Sequence, residues 1–352
     1  MSAEWLILRA DANFEIGTGH VMRCLALAQR WMKEGGQVAF VIRGESAPLQ
    51  KRLEAEGVQV FLVPTQATEA EDIQFVLHVA QAHHPNWIVV DGYHFTAEYQ
   101  FALKRARKRL LCIDDDGRVA HYAADIIFNP NFGATAALYP NRESYTQLVL
   151  GTDYTLIRTE FLNHRIAPKI IPAVAQRLLI TMGGSDPDNL TRRVLHALTE
   201  LQDSHFQVRA IVGESNPHYD ELVAIAQKPT SHAIRVEQNV SAMPEAMRWA
   251  DVALIAAGGT LWELLFMGVP TLGFSRNQVQ ATILHEFESN GAVCYLGASC
   301  NFDGVALNRR LARLVSDRTT RKSMSAKGQR IIDGSGSRRL IRVMQEFNFP
   351  DK

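Results

Sequence analysis

A histidine set between glycines, Gly17-Thr18-Gly19-His20, stands where an apolar run, Trp5-Leu6-Ile7-Leu8, gives way to an amphipathic pattern. Val21, Leu25, Ala28 and Met32 recur there at helical spacing. His20 is therefore expected in the first turn of a helix, at the mouth of a βα unit. A helix N-terminus carries a positive partial charge and free backbone N–H groups, so it attracts phosphate or a pyrophosphate leaving group. The same field disfavours imidazolium and keeps a histidine able to accept a proton. General-base chemistry is what these residue types permit. A capping or packing role is the alternative.

Four further segments carry polar groups at the ends of apolar strands. Thr181-Met182-Gly183-Gly184-Ser185-Asp186-Pro187 offers close backbone approach and polar contacts, or a plain turn with a helix cap. Ala257-Gly258-Gly259-Thr260-Leu261-Trp262-Glu263 opens a helix after Val252–Ala256. Gly259 and Thr260 can donate to a pyrophosphate, and Glu263, near the end of the first turn, can accept ribose hydroxyls. A carboxylate closing a capping box is the competing role for Glu263. Asn277-Gln278 starts another helix, as a cap or as a contact for a sugar hydroxyl or acetamido group. Tyr93, in Asp91-Gly92-Tyr93-His94, could bond a sugar or phosphate, or cover the sheet end.

Other chemistries are disfavoured. The first glycine turn lacks the third glycine of a dinucleotide fingerprint, and no P-loop lysine is present, so neither NAD nor ATP is expected. Asp114-Asp115-Asp116 could hold a metal, but consecutive strand-end residues point to opposite faces, and a solvated or hydrogen-bonded turn is expected instead, with one of the three still able to face the cleft. His83, His84, His121, His164 and His285 have no metal-ligand spacing. No metal and no cofactor are expected. Cys24, Cys112, Cys294 and Cys300 form no C-x-x-C pair and read as reduced thiols. Lys plus Arg number 37, as do Asp plus Glu, so no broad basic surface points to nucleic acid. No apolar run reaches membrane-spanning length and no signal-peptide pattern opens the chain, so a cytoplasmic protein is expected.

The elements that must position these groups alternate. Strand-like runs at Trp5–Arg9, Val38–Ile42, Val58–Val63, Trp87–Val90, Leu110–Ile113 and Ile126–Phe128 are separated by helical patterns. Residues 130–175 break the rhythm, with a link expected near 162–176. The alternation restarts at Arg177–Thr181 and continues to Val293–Leu296, then to a last helix over 336–347. An α/β, GT-B-like architecture follows: two Rossmann-like domains with parallel sheets facing across a cleft. The expected domains are 1–165, with the histidine, and 176–333, with the nucleotide, while 334–352 packs back on the first. Ligands in such sheets sit at the carboxyl ends of strands.

Taken in order, Arg9-Ala10-Asp11, Gly17-Thr18-Gly19-His20, Val90-Asp91-Gly92-Tyr93, Ile113-Asp114-Asp115, Asn129-Pro130-Asn131, Met182-Gly183-Gly184-Ser185-Asp186, Gly258-Gly259-Thr260 with Glu263, and Asn277-Gln278 form a set. The set resembles the UDP-sugar hydrolases of pseudaminic acid biosynthesis and their spore-coat polysaccharide relatives, over nearly the whole chain. The resemblance implies a GT-B fold and hydrolysis of UDP-2,4-diacetamido-2,4,6-trideoxy-β-L-altropyranose to UDP and free sugar, with inversion and without metal. It implies that His20 activates the water, that Tyr93 and Asn277 hold the sugar, and that Thr260 and Glu263 hold diphosphate and ribose. Gly17, Gly19, Gly183 and Gly184 would give backbone approach, and Asp11 could orient the imidazole or serve as a turn carboxylate. Family members often read Asp-His-Tyr where this chain reads Asp91-Gly92-Tyr93, which leaves the sugar stereochemistry open. The expected partner is the small-molecule UDP-sugar, with the chain a monomer or weak dimer. The alternatives are a GT-B glycosyltransferase, a non-catalytic nucleotide-sugar binder and a hydrolysing 2-epimerase.

Overall fold

Near-continuous apolar strands between amphipathic helices leave no open sheet face, and the chain resolves them into two parallel sheets. The computed structural model describes residues 4–12, 17–44, 47–165, 169–184, 186–201, 205–214, 216–240 and 242–347. The chain divides into two units, Met1–Thr159 with Gly334–Lys352, and Glu160–Asp333. The break falls ahead of the expected link at 162–176, next to a short helix that the sequence pattern did not reveal.

The first unit runs β1 (Trp5–Ala10), α1 (Gly19–Lys33), β2 (Gln37–Arg43), α2 (Ala47–Ala55), β3 (Gln59–Val63), α3 (Glu69–His83), β4 (Trp87–Asp91), α4 (Ala97–Arg105), β5 (Leu110–Ile113), β6 (Ile126–Asn129) and β7 (Gln147–Leu150). Its sheet order is β3-β2-β1-β4-β5-β6-β7, with every pair parallel. β7 lies in the stretch read as irregular. It is a four-residue edge strand, only partly buried, so it lacks the apolar run that marks the inner strands.

Alternate residues of each inner strand feed opposite faces. Leu6, Leu8, Phe40 and Trp87 pack with Leu25 and Leu27 of α1, while Ile7, Val41, Ile88 and Val90 pack with Val76, Val79 and Tyr99.

α5 (Thr159–His164) begins on the last residue before the break, and the second unit continues β8 (Arg177–Thr181), α6 (Leu190–Thr199), β9 (Gln207–Val212), α7 (Tyr219–Ala226), β10 (Ala233–Gln238), α8 (Met243–Trp249), β11 (Val252–Ala256), α9 (Gly259–Met267), β12 (Thr271–Ser275), α10 (Gln278–Ser289), β13 (Val293–Ala298), α11 (Gly304–Ser316) and α12 (Arg318–Ile331). Its sheet order is β10-β9-β8-β11-β12-β13, again parallel. In both sheets the order reverses beside the first strand, the switch point where such folds bind ligands.

The last helix, α13 (Gly336–Glu346), belongs to the first unit. Leu340, Ile341 and Met344 join the α1 face of its core. Among the described residues no helix is long and apolar enough to cross a membrane.

Gly336 sits against the backbone of Tyr154 and Thr155, where a Cβ would collide. Gly336→Ala should therefore cost about 1–3 kcal/mol by overpacking, and Leu340→Ala about 2–5 kcal/mol by cavity formation. Urea unfolding measures both. Losses within about 0.5 kcal/mol, the range of surface substitutions, would mean that α13 is not part of this core.

Candidate functional site

The polar residues of the first unit gather because β1, β4, β5 and β6 are neighbours. Ala10 pairs with Asp91, Asp91 with Ile113, and Ile113 with Phe128. The carboxyl ends of these strands thus present Asp91, Asp115 and Asn131 to one region. Gly17, at φ +69°, turns the chain into α1 in a conformation that favours glycine. Gly19 and His20 are the first two residues of α1, and Thr18 provides no side-chain cap.

His20 is buried, and its Nδ1 lies 2.6 Å from Asp91 Oδ1. A carboxylate partner makes Nδ1 the protonated nitrogen, which leaves Nε2 as the acceptor. Nε2 has no hydrogen-bond partner among the described residues.

Arg23, one turn further along α1, holds Asp91 through Nε at 2.5 Å and Nη2 at 2.6 Å, and Asp115 through Nη1 at 2.8 Å. Asn131 donates to Asp115 at 2.9 Å. Burial opposes the charge on Asp91. The charges and hydrogen bonds of Arg23 and His20 outweigh it and hold the carboxyl well below the usual range. Asp115 is lowered as well, burial being overcome chiefly by Arg23. Burial and the neighbouring Asp91 carboxylate push the Cys24 thiol up, so it stays neutral.

The Tyr93 ring stands edge-on to His20 at 5.0 Å, and the Arg118 guanidinium covers it at 4.1 Å. Burial and then Asp115 raise the phenol to about 12. His20, Arg23, Tyr93, Asp115 and Arg118 line a pocket of about 10 Å³, the scale of one water molecule.

Asp11 is not in this group. It pairs with buried Arg9, accepts the Arg43 N–H at 2.8 Å and lies 3.2 Å from His94 Nε2. Proximity in sequence suggested that it could orient the imidazole, but Asp91 holds that position. The aspartate run also separates. Asp114 accepts from Tyr122 and Tyr139, Asp115 faces Arg23, and Asp116 pairs with Arg118.

In the second unit two helix starts read alike in sequence and differ in structure. α6 begins only at Leu190, later than the glycine turn suggests. Its first N–H groups are taken by fully buried Asp186, which accepts from Leu190 at 3.0 Å and Thr191 at 2.8 Å. Arg276 braces this turn, donating to Asp186 at 3.1 Å and to the Met182 carbonyl. Gly183 takes φ +89°, with Arg276 pressed against it. Gly184 accepts the Gly213 N–H at 2.9 Å, and Ser185 lies outside the described residues.

The start of α9 has neither a side-chain cap nor an acidic residue in its first turn. Gly258 and Gly259 are exposed, with open space beside them. Thr260 is the second residue of this helix. Glu263 is the fifth, a step later than the first turn, and half-buried. Asn277 caps α10, accepting from Gln280 N at 2.9 Å, and Gln278 is exposed.

Sequence reasoning assigned no role to Arg23 or Arg118, and it singled out the segments holding Asp115 and Asn131 without giving either residue a contact. Arg23 could have been found, since it lies three residues from His20 on the same helix face.

The fold defines the class first. The chain aligns with the crystal structure of Acinetobacter baumannii MurG at a TM-score of 0.68 and 16% identity, covering 98% of this chain and all of that one. It has the GT-B fold. Residues 177–336 match the glycosyltransferase family 28 C-terminal domain. The chain is 26% identical over 342 residues to the spore coat polysaccharide biosynthesis protein SpsG of Bacillus subtilis, covering 96% of this chain and 97% of that protein. It is 22% identical over 265 residues to the UDP-2,4-diacetamido-2,4,6-trideoxy-beta-L-altropyranose hydrolase of Campylobacter jejuni, covering 74% and 88%. A 26% identical match to the uncharacterized protein MJ1062 of Methanocaldococcus jannaschii covers 77% of this chain and about half, 55%, of that longer protein. The chain is thus a GT-B protein related in sequence to nucleotide-sugar enzymes.

The Arg9 cluster predicts acid sensitivity. Asp72 accepts from Arg9, from Arg43 at 2.7 Å and from Tyr99 at 2.8 Å. Burial opposes its charge, but these partners lower its carboxyl below the ordinary range. A lowered folded-state value contributes stability that is present above the unfolded value of about 4 and is lost as pH falls through the folded one. Asp72→Asn should weaken the fold at neutral pH and flatten the loss of stability below about pH 4. Urea unfolding across pH checks both, and an unchanged slope with pH would count against this cluster as the source.

Proposed function

We propose that the protein hydrolyses a UDP-2,4-diacetamido-2,4,6-trideoxyhexose to UDP and free sugar, in the biosynthesis of a pseudaminic-acid-type nonulosonic acid. The observation that carries this reading is the His20–Asp91 pair at the start of α1, whose imidazole lines a water-sized pocket. The similarity to the Campylobacter jejuni hydrolase supports the substrate class.

UDP is a good leaving group, so the protein has two tasks: to place and deprotonate a water, and to stabilise the departing diphosphate. In the first unit, His20 Nε2 takes the proton as water oxygen bonds to the anomeric carbon. The carbon–oxygen bond to UDP breaks on the opposite face, giving inversion. The imidazolium that forms is stabilised by Asp91, which stays ionised. Tyr93 packs beside the reacting sugar. In the second unit, the open start of α9, with Gly259 and Thr260, receives the diphosphate, and Glu263 accepts from the ribose. Asn277 and Gln278 contribute polar contacts to the sugar, and Gly183 and Gly184 allow backbone approach. The start of α6 has no such part, because Asp186 already fills it.

A glycosyltransferase is the second reading, favoured by the family 28 match over 177–336. Release of free sugar without an acceptor separates the two. The wild-type protein should release UDP and the free diacetamido sugar, followed by NMR. His20→Asn and Asp91→Asn should each lose about 10²–10⁴-fold of that rate while remaining folded. No release with UDP bound, or release only when an acceptor sugar is added, would reject the hydrolase.

A further inference from the structure

Arg23 is a half-buried cation for which the proposed hydrolysis has no direct use. Its guanidinium reaches both oxygens of Asp91 and both oxygens of Asp115. Its Nη2 also lies 3.2 Å from His20 Nδ1. Both of those nitrogens are donors when Nδ1 carries a proton toward Asp91, so this contact is a repulsion rather than a bond. The charge therefore acts on the imidazole in two ways: it shares the Asp91 carboxylate, and it opposes a second positive charge on the ring.

We infer that Arg23 is a positioning residue that keeps His20 in its neutral, Nδ1-protonated form, so that Nε2 is free to accept a proton. The inference rests on the hydrolase reading only for what that proton acceptor then does.

Among the described residues, the titratable and charged groups around the imidazole include Asp114, whose carboxylate is taken up by the Tyr122 and Tyr139 hydroxyls, and the Cys112 thiol, which burial and then Asp114 push up and keep neutral. α1 contributes Arg23 and the Cys24 thiol. β4 contributes Asp91, and the turn after it Tyr93. The turn after β5 contributes Asp115, with Arg118 stacked over Tyr93. Tyr93 and Cys24 stay neutral, and Arg118 is neutralised by Asp116. Of the carboxylates here, Asp91 and Asp115 are the two that Arg23 touches, so one cation stands against two carboxylates in direct contact with it. Removing the cation leaves two carboxylates that pull a proton onto the ring. Removing Asp115 leaves Arg23 matched by Asp91 alone and disfavours the protonated ring.

The test is ¹⁵N NMR of the histidine ring in the full-length, substrate-free protein, with His20→Asn assigning the signal. Near neutral pH the wild-type ring should show one protonated nitrogen. Arg23→Gln should show two, its titration displaced upward by about one pH unit or more, and Arg23→Lys should resemble the wild type. Asp115→Asn, which retains the guanidinium, should displace the titration downward, and it decides the matter should Arg23→Gln not fold. If UDP release is observed, the rate of Arg23→Gln should fall about tenfold near neutral pH and recover at higher pH, a behaviour that a purely structural brace would not produce. Ring signals unmoved in the variants, or moved in the same direction by both, would overturn the inference. Because the ring signals need no substrate, they decide it even where UDP release fails.

Discussion

The first unit is organised around one buried carboxylate. Asp91 ends β4 with no exposed surface, and an isolated charge in that position would cost several kcal/mol even after relaxation. It is retained because three partners converge on it: His20, Arg23 and, more weakly, the Cys24 thiol. All three lie on the first two turns of α1. The entry of α1 is therefore fixed relative to β4 by charge as well as by packing, and the imidazole has one orientation available. A change that shifted α1 along its axis would strand the carboxylate, so the pair is held in one geometry.

The second unit shows the same physics with two outcomes. Helix starts expose N–H groups that must find acceptors. At α6 the chain supplies its own acceptor, Asp186, placed four residues before the first bonded N–H and tied down by Arg276. At α9 two exposed glycines and a threonine supply no side-chain cap, and no acidic residue lies in the first turn. A diphosphate competes poorly for a helix start that already holds a carboxylate, and well for one that does not. The contrast is what favours the start of α9 over that of α6 for the proposed diphosphate contact.

Much of this was legible in the sequence, for identifiable reasons. Inner parallel strands are apolar on both faces, so β1, β4, β8 and β11 stand out as continuous runs. β7 does not, because an edge strand needs no such run. His20 was visible because glycines and a helical period bracket it. Its partner was harder to see. Alternation of strands and helices does not say which strand lies beside β1, and only that adjacency brings Asp91 and Asp115 to α1. Asp11 drew attention by proximity along the chain, yet it turns toward Arg9 and Arg43, on the side of β1 that faces β2. Asp186 and Asn277 lie in loops that read equally well as ligand contacts. A cap is decided by the position of the first helical N–H, which shifts by a residue or two without changing the pattern.

Charge counting links the resting site to the chemistry. Beside β1 lie two clusters. Arg9 and Arg43 with Asp11 and Asp72 sum to zero, so that cluster gains nothing by binding a proton. Arg23 with Asp91 and Asp115 carries one excess negative charge while His20 is neutral. In the proposed reaction, a proton transferred from water to Nε2 would bring this second cluster to electroneutrality, inside a region where uncompensated charge is expensive. Arg23 thus sets a balance. With two carboxylates and no cation, the ring would already hold its proton at rest and could not act as a base. With one carboxylate and one cation, the site would resist the proton when water gave it up. Two carboxylates and one guanidinium lie between these two extremes, which is the arrangement a general base in the proposed reaction needs.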